Sequence, residues 1–245
     1  MAHLTSIIGP LPLLAALVAI ICAGIVQGAT GFGFNMVAAP VLAVIDPAFV
    51  PVPMILLALL VSIWGALREY RSIDRVGLGY ALTGRIVSSV LAVMFLSYLD
   101  ERTFAIVFAG LVLFAVGLSL AGIRVKATPR NILAAGGISG FMGTLTAIGA
   151  PPMAMIYQSS PGPVIRSTLS AYFMIGTTIS LILLAIAGHV SWTNIGLALM
   201  LAPFAFVGFW LSNGLKDFVD NGRAGQVIMI TSTASAVLLV IKFLY

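Results

Sequence analysis

Arg85 lies near the middle of an apolar run at 76–98, about 13 Å from one end and about 20 Å from the other at a helical rise of about 1.5 Å per residue. If that run crosses a bilayer, a guanidinium there costs at least ~2.5–3.5 kcal/mol to insert, and intramembrane charges generally face a cavity or a partner. No Asp or Glu lies within the apolar interior of any run to neutralise it. An arginine with no protein counter-ion suits a carboxylate or sulfonate, which its planar fork binds through two parallel hydrogen bonds. The structural alternative is a bond to the free carbonyls of an interrupted helix.

Two glycine-rich stretches supply the other candidate chemistry. One runs from Gly24 through Gln27, Gly28, Thr30, Gly31, Gly33 and Asn35 to Pro40. The other runs from Gly136 through Ser139, Gly140, Gly143, Thr144, Thr146 and Gly149 to Pro151 and Pro152. Glycine weakens a helix by about 1 kcal/mol and proline by about 3 relative to alanine, so helices should break here. Gly24, Gly28, Pro40, Gly136, Gly140, Pro151 and Pro152 are the expected hinges. A broken helix in hydrocarbon leaves N–H and C=O groups that protein, water or solute must satisfy. Half-helix N-termini offer free donors and partial positive charge, which suits an anion. Gly31, Gly33, Gly143 and Gly149 would let the backbone approach such a solute, and Gln27, Thr30, Asn35, Ser139, Thr144 and Thr146 would add neutral hydrogen bonds. The competing reading makes the four Gly-x3-Gly residues a packing face between helices.

The elements that would hold these groups follow from composition. The chain has 245 residues, 61% hydrophobic and only 8% charged, with a mean hydropathy of +1.16. Soluble domains carry about 25% charged residues. That shortage argues against cytosolic enzymes and nucleic-acid binders, and the high hydrophobicity argues against disorder. Ten apolar runs fall at about 8–26, 36–45, 50–67, 76–98, 103–122, 131–142, 147–157, 167–188, 194–212 and 225–244. Several approach the ~20 residues that a helix needs to span a bilayer, so the expected class is an all-α polytopic membrane protein. The N-terminus has no basic segment ahead of its first apolar run, so Leu11 to Val26 is expected to stay as a membrane helix rather than a cleaved signal.

The two glycine stretches superimpose without a gap at an offset of 112, placing Ala23, Gly24, Gly28, Gly31, Ala38 and Pro40 on Ala135, Gly136, Gly140, Gly143, Ala150 and Pro152. Pro51-Val52-Pro53 resembles Pro161-Gly162-Pro163 at an offset of 110. The pattern implies two repeats, 1–125 and 126–245, each a broken or re-entrant helical hairpin plus three transmembrane helices, about eight membrane elements in all. An odd number of crossings per half makes the repeats inverted. The loops at 68–75, 123–130, 158–166 and 213–223 then share one side with Arg68, Arg71, Arg75, Arg124, Lys126, Arg130, Arg166, Lys216 and Arg223, leaving only Arg102 and Lys242 opposite. The positive-inside rule puts those loops in the cytoplasm. Such topology marks account for most of the net charge of +5. At an offset of 121, the position matching Arg85 is Phe206.

Other chemistry finds no support. Cys22 is the only cysteine, so disulfides and Cys-rich metal sites are excluded. No nucleophilic triad, paired intramembrane carboxylates or His/Glu metal set is present, so neither enzyme activity, nor a metal, nor a cofactor is expected. Asp46 reads as a cap on the turn before Pro47, and His189 beside Trp192 reads as an interfacial anchor.

At its glycine stretches the chain resembles the TauE/SafE family of sulfite-exporter-like membrane proteins. The family pattern is Gly-x3-Gly-x2-Gly leading to a proline near the start of each half, here Gly24, Gly28, Gly31, Pro40 and Gly136, Gly140, Gly143, Pro152. The run of glycines common after the third motif glycine is reduced to Gly31-Phe32-Gly33 and, in the second half, to Thr144-Leu145-Thr146. The resemblance implies a secondary transporter that exports sulfur-containing anions such as sulfite, sulfoacetate and related organosulfonates across a cell inner membrane. The partners expected are a small anion and the lipid bilayer, with no nucleic acid; monomer and homodimer both stay open. An anion channel, an importer of another small organic anion and a non-transporting membrane component are the competing readings.

Overall fold

The computed structural model describes residues 10–120 and 125–215. The apolar run at 225–244 lies outside the described residues, as do Arg124, Lys216, Arg223 and Lys242. Among the described residues all regular elements are helical. The first half holds α1 (Pro10–Thr30), α2 (Phe34–Ile45), α3 (Val52–Arg68), α4 (Arg75–Leu96) and α5 (Glu101–Leu120). The second holds α6 (Pro129–Thr146), α7 (Ala150–Tyr157), α8 (Gly162–Ile186) and α9 (Trp192–Leu211). Among the described residues five stretches are long and apolar enough to cross a membrane: Leu11–Thr30, Arg75–Leu96, Arg102–Ser119, Gly162–Ile186 and Trp192–Gly214.

The exterior is apolar, and polar side chains lie inside among a hydrophobic core. Leu11, Val18, Trp64, Leu91, Phe95, Ile106, Ile186 and Trp210 are large and exposed, whereas Gln27, Asn35, Ser89, Ser139, Thr144 and Arg85 are buried. In water such a surface would aggregate; in lipid it is the expected one.

Helix directions follow from the contacts. On α1 and α9, Gly24 faces Ala205 and Gly28 faces Ser212, so the two run parallel. On α4 and α6, Ala81 faces Gly136 and Ser88 faces Gly140, again parallel. On α3 and α8, Gly65 faces Ser170 while Glu69 pairs with Arg166, so these run antiparallel. Gln27 reaches Ser62 and Gly28 meets Arg68, which makes α1 parallel to α3. Asp74 meets Thr168 and Arg85 meets Ser180, which makes α4 parallel to α8. Thus α1, α3 and α9 run one way, and α4, α6 and α8 the other. The first helix of the first hairpin is antiparallel to the first helix of the second, the inverted arrangement expected.

These contacts also fix the internal register. Offsets of 112 between α1 and α6 and of 124 between α4 and α9 reproduce the nearest contact at each paired glycine: Gly24 against Ala205 repeats as Gly136 against Ala81, and Gly208 against Ile21 repeats as Gly84 against Leu133. Ser88 bonds back to the Arg85 carbonyl as Ser212 does to that of Phe209. The position matching Arg85 is therefore Phe209, not Phe206. An offset of 121 would instead superimpose Arg102 on Arg223, positions outside α4 and α9 in the sequence.

The breaks fall elsewhere than the expected hinges. α1 ends at Thr30 and α2 starts at Phe34; α6 ends at Thr146 and α7 starts at Ala150. Gly24, Gly28, Gly136 and Gly140 lie inside continuous helices, where their missing side chains admit a neighbouring backbone. Pro40 sits within α2, and Pro151 and Pro152 occupy the first turn of α7, where a missing N–H costs nothing. Both interruptions are three residues long, Gly31-Phe32-Gly33 and Ala147-Ile148-Gly149, and each opens on a left-handed residue, Gly31 at φ 82° and Ala147 at φ 64°. The two tips thus correspond at an offset of 116. Relative to α1, α6 carries four extra residues, about one helical turn. The gapless match of Gly31 with Gly143 and Pro40 with Pro152 does not survive.

At about 1.5 Å per residue α1 extends about 32 Å, enough to cross the hydrocarbon, while α2 extends only about 18 Å. α2 must run back along α1, because α3 starts at the end opposite Arg68. The first hairpin is accordingly a full-length limb followed by a half-helix.

At the basic end, the termini of α3, α4, α7 and α8 are tied together. The Tyr157 hydroxyl donates to Asp74 at 3.0 Å, the Asp74 amide donates to Thr168 at 2.9 Å, and the buried Arg166 guanidinium grips both Glu69 oxygens at 2.9 Å. Removing one partner of a buried pair strands the other charge, at about 3–5 kcal/mol. Glu69→Leu should therefore lower the thermal unfolding temperature of detergent-purified protein by several degrees. Arg71→Gln, on an exposed side chain that bonds only Tyr70, should leave it unchanged.

Candidate functional site

The two tips meet at the centre of the helix bundle. The Asn35 side chain, on the first turn of α2, donates through Nδ2 to the Ala147 carbonyl of the other tip at 2.9 Å. Between them lies a small, partly open cavity. The first tip contributes Gly33, Phe34, Asn35 and Met36, and the second Ala147, Ile148, Gly149 and Ala150. Gln27 and Gly143 close it from the helices leading in, Ala58 and Ser62 from α3, Phe173 and Thr177 from α8, and Arg85 from α4. The first turns of both half-helices, α2 and α7, thus border the same space, with the donors that a helix start leaves without an intrahelical acceptor.

Arg85 is 1% exposed. Nη2 is 3.4 Å from Ser180 Oγ and the guanidinium lies 5.0 Å above the Tyr172 ring, while Nε and Nη1 have no hydrogen-bond partner. Its aliphatic stem passes Gly140 and its head passes Gly176, where a Cβ on either glycine would lie within 3.0 Å of the arginine. Arg85 is the only charged residue among those lining the cavity. It also lies near Gly143 in the last turn of α6, where the negative end of the helix dipole favours a cation.

Some expected site residues line this space and others hold its walls. Gln27, Gly33, Asn35, Arg85, Gly143 and Gly149 border the cavity. Gln27 is internally committed: Nε2 donates to the Gly31 carbonyl at 3.1 Å and Oε1 accepts from the Phe34 amide at 3.3 Å, so it fixes the tip. Thr30, Gly31, Ser139, Thr144 and Thr146 are not lining residues. Thr30 accepts the Phe32 amide and donates to the Val26 carbonyl; Thr146 accepts the Ile148 amide and donates to that of Met142. The two threonines thus close their helices in the same way. Ser139 donates to the Gly149 carbonyl, and Thr144 lies 2.8 Å from Ser180 and 3.1 Å from Ser89. Gly31 packs on the α8 backbone at Arg166. Asp46 caps the turn at Ala48, as its position before Pro47 suggested.

The profile of the family described as sulfite exporter TauE/SafE matches residues 16–239, nearly the whole chain. The chain belongs to the TauE/SafE family. It is therefore a multi-pass membrane transporter of small sulfur anions rather than an enzyme, with its long apolar helices set in a lipid bilayer. Neither the curated proteins nor the solved structures hold a match to it.

Sequence reasoning missed the α8 wall and the inward role of Arg68. Gly176, Thr177 and Ser180 interrupt the apolar run at 167–188 with small and polar residues at helical spacing, and that signal could have marked the face holding Arg85. Tyr172, buried beneath Arg85, donates to the Gly136 carbonyl at 3.1 Å. Arg68, read only as a topology mark, turns inward to the Gly28 carbonyl near the end of α1 and lies 4.9 Å over Phe209. Its sequence position at a helix end gave no hint of that.

Proposed function

We propose that this TauE/SafE protein is a secondary carrier that exports a small sulfur oxyanion, sulfite or an organosulfonate such as sulfoacetate, by alternating access around its paired hairpin tips. The observation that carries the reading is a buried, partly unpartnered Arg85 guanidinium, without a counter-ion among the described residues, facing a cavity that both half-helix starts border. Arg85 supplies charge, the first-turn amides at Asn35 and Ala150 supply donors, and Gln27, Thr30, Ser139 and Thr146 keep the tips in shape. Movement of each tip with its half would expose the cavity to either face. The chain is read as two repeats dividing at 125/126. The basic end carrying Arg71, Arg75 and Arg130 is read as cytoplasmic under the positive-inside rule, in a cell inner membrane. Expelling an anion from a negative interior is already favoured by about 2.3 kcal/mol per charge per 100 mV.

The test is counterflow in proteoliposomes, backed by a thermal-shift screen against sulfite, sulfoacetate, taurine, isethionate and carboxylate analogues. Saturable flux with counterflow and stabilisation by at least one sulfur anion is expected. Ohmic current without saturation would replace the carrier by a channel, and stabilisation by carboxylates alone would replace the substrate class.

A further inference from the structure

Resting on that transport reading, we infer that the carried species is a singly charged sulfur oxyanion bearing its own O–H donor, a hydrogensulfite or a hydroxysulfonate, which Arg85 takes by its charge and Asn35 by that proton.

Asn35 carries the argument. It is 9% exposed and lines the cavity. Its bond from Nδ2 to the Ala147 carbonyl fixes which end of the amide is which, since a flipped amide would set two acceptor oxygens face to face. Oδ1 is left buried with no partner among the described residues. Amide oxygen is only an acceptor, and a buried acceptor costs free energy until something donates to it. A fully deprotonated oxyanion has no donor, so its oxygens would face Oδ1 in repulsion. An O–H on the solute answers both requirements.

Charge points the same way. Arg85 is the only charged side chain bordering the cavity, with the neutral ring of Tyr172 behind it. Among the described residues no other cation borders the space, so one negative charge is matched and a second would be left buried without an opposite. Two tip amides that might have served a dianion are already engaged, Phe34 by Gln27 and Ile148 by Thr146. With no titrating group in the wall other than arginine, a pH dependence of binding reports the ligand's own proton.

The experiment measures binding to the purified full chain by calorimetry, using two comparisons. 2-Hydroxyethanesulfonate and ethanesulfonate carry the same charge at any working pH and differ in one O–H; the hydroxylated member should bind at least about 10-fold tighter, equivalent to about 1.4 kcal/mol. Sulfite should lose affinity about 10-fold per pH unit once hydrogensulfite gives up its proton, while 2-hydroxyethanesulfonate stays flat. Asn35→Ala should bring the sulfonate ratio close to 1. Equal binding of the two sulfonates by the wild type, or sulfite affinity that rises with pH, overturns the inference. If equal binding coincides with loss of both in Arg85→Gln, the donor requirement falls alone. If no sulfur anion binds at any pH, the transport reading falls with it.

Discussion

Arg85→Gln is expected to abolish saturable anion flux while leaving the folded protein at least as stable as the wild type. The two halves of that expectation have different origins. The Arg85 side chain is 1% exposed, with Nε and Nη1 unpartnered among the described residues and one long bond from Nη2 to Ser180. Burying a charge so sparsely compensated is costly, and exchanging it for a neutral group is often neutral or stabilising. With an anion bound, the same guanidinium becomes one side of a desolvated ion pair. Truncating such a partner costs about 2–5 kcal/mol, or about 30-fold to several thousand-fold in affinity. A structural role, in which Arg85 holds the end of α6 and the Tyr172 ring, predicts the reverse: lower thermal stability with little change in apparent affinity. Flux in proteoliposomes and unfolding temperature in detergent, measured on the same preparation, separate the two. Arg85→Lys makes the comparison sharper. It keeps the charge but loses the planar fork, so partial retention would show that charge matters and bidentate geometry does not. A drop in stability at unchanged affinity would refute the binding role.

The legible part of this molecule was what hydrophobicity and glycine spacing dictate. Apolar run length located the spanning helices, and charge scarcity isolated Arg85 as the one basic residue without a loop to sit in. The match of Gly24 and Gly28 with Gly136 and Gly140 correctly paired α1 with α6, because both glycine pairs do the same steric work against a partner backbone. What the alignment could not show is that this work is packing, and that chain reversal happens later. Thr30 and Thr146 mark the true ends by capping their own helices, a signal shared with any threonine that bonds back to the preceding turn. The one-turn extension of α6 was invisible for a related reason: a gapless match scores glycine and proline identities, not the left-handed residue that starts the turn. In the first tip that residue is Gly31, but in the second it is Ala147, which composition gives no reason to suspect. The α8 wall was hidden because its polar residues are uncharged and lie within a run that otherwise reads as an ordinary span.

Gly136→Ala should prevent assembly of a stable fold, whereas Gly79→Ala, on the helix that faces it, should be harmless or slightly stabilising. A Cβ at Gly136 would fall within 3.0 Å of the Ala81 backbone, and one at Gly84 would do the same to the Leu133 carbonyl. Each glycine is the recess for the other helix's main chain, which is how small residues let membrane helices approach without a hydrophobic driving force. Overpacking usually costs about 1–3 kcal/mol because side chains move aside; here the obstacle is backbone, so the whole seam between α4 and α6 must open. At Gly79 nothing lies within 4 Å, and the substitution gains helix propensity of up to about 1 kcal/mol. Monodispersity and thermal unfolding of the two purified variants should thus move in opposite directions. The equivalent substitutions at Gly24 and Gly208 should fail as Gly136→Ala and Gly84→Ala do, since they form the same recess against Ala205 and Ile21. The seam also reaches the site: Arg85 follows Gly84 directly on α4, so any separation of α4 from α6 withdraws the cation from the tips. A milder wedge, Gly140→Ala, meets the Arg85 stem and backbone and the Ser88 side chain, and should reduce anion affinity more than it reduces stability. Unchanged unfolding for Gly136→Ala would show that the parallel seam is not the one the protein uses.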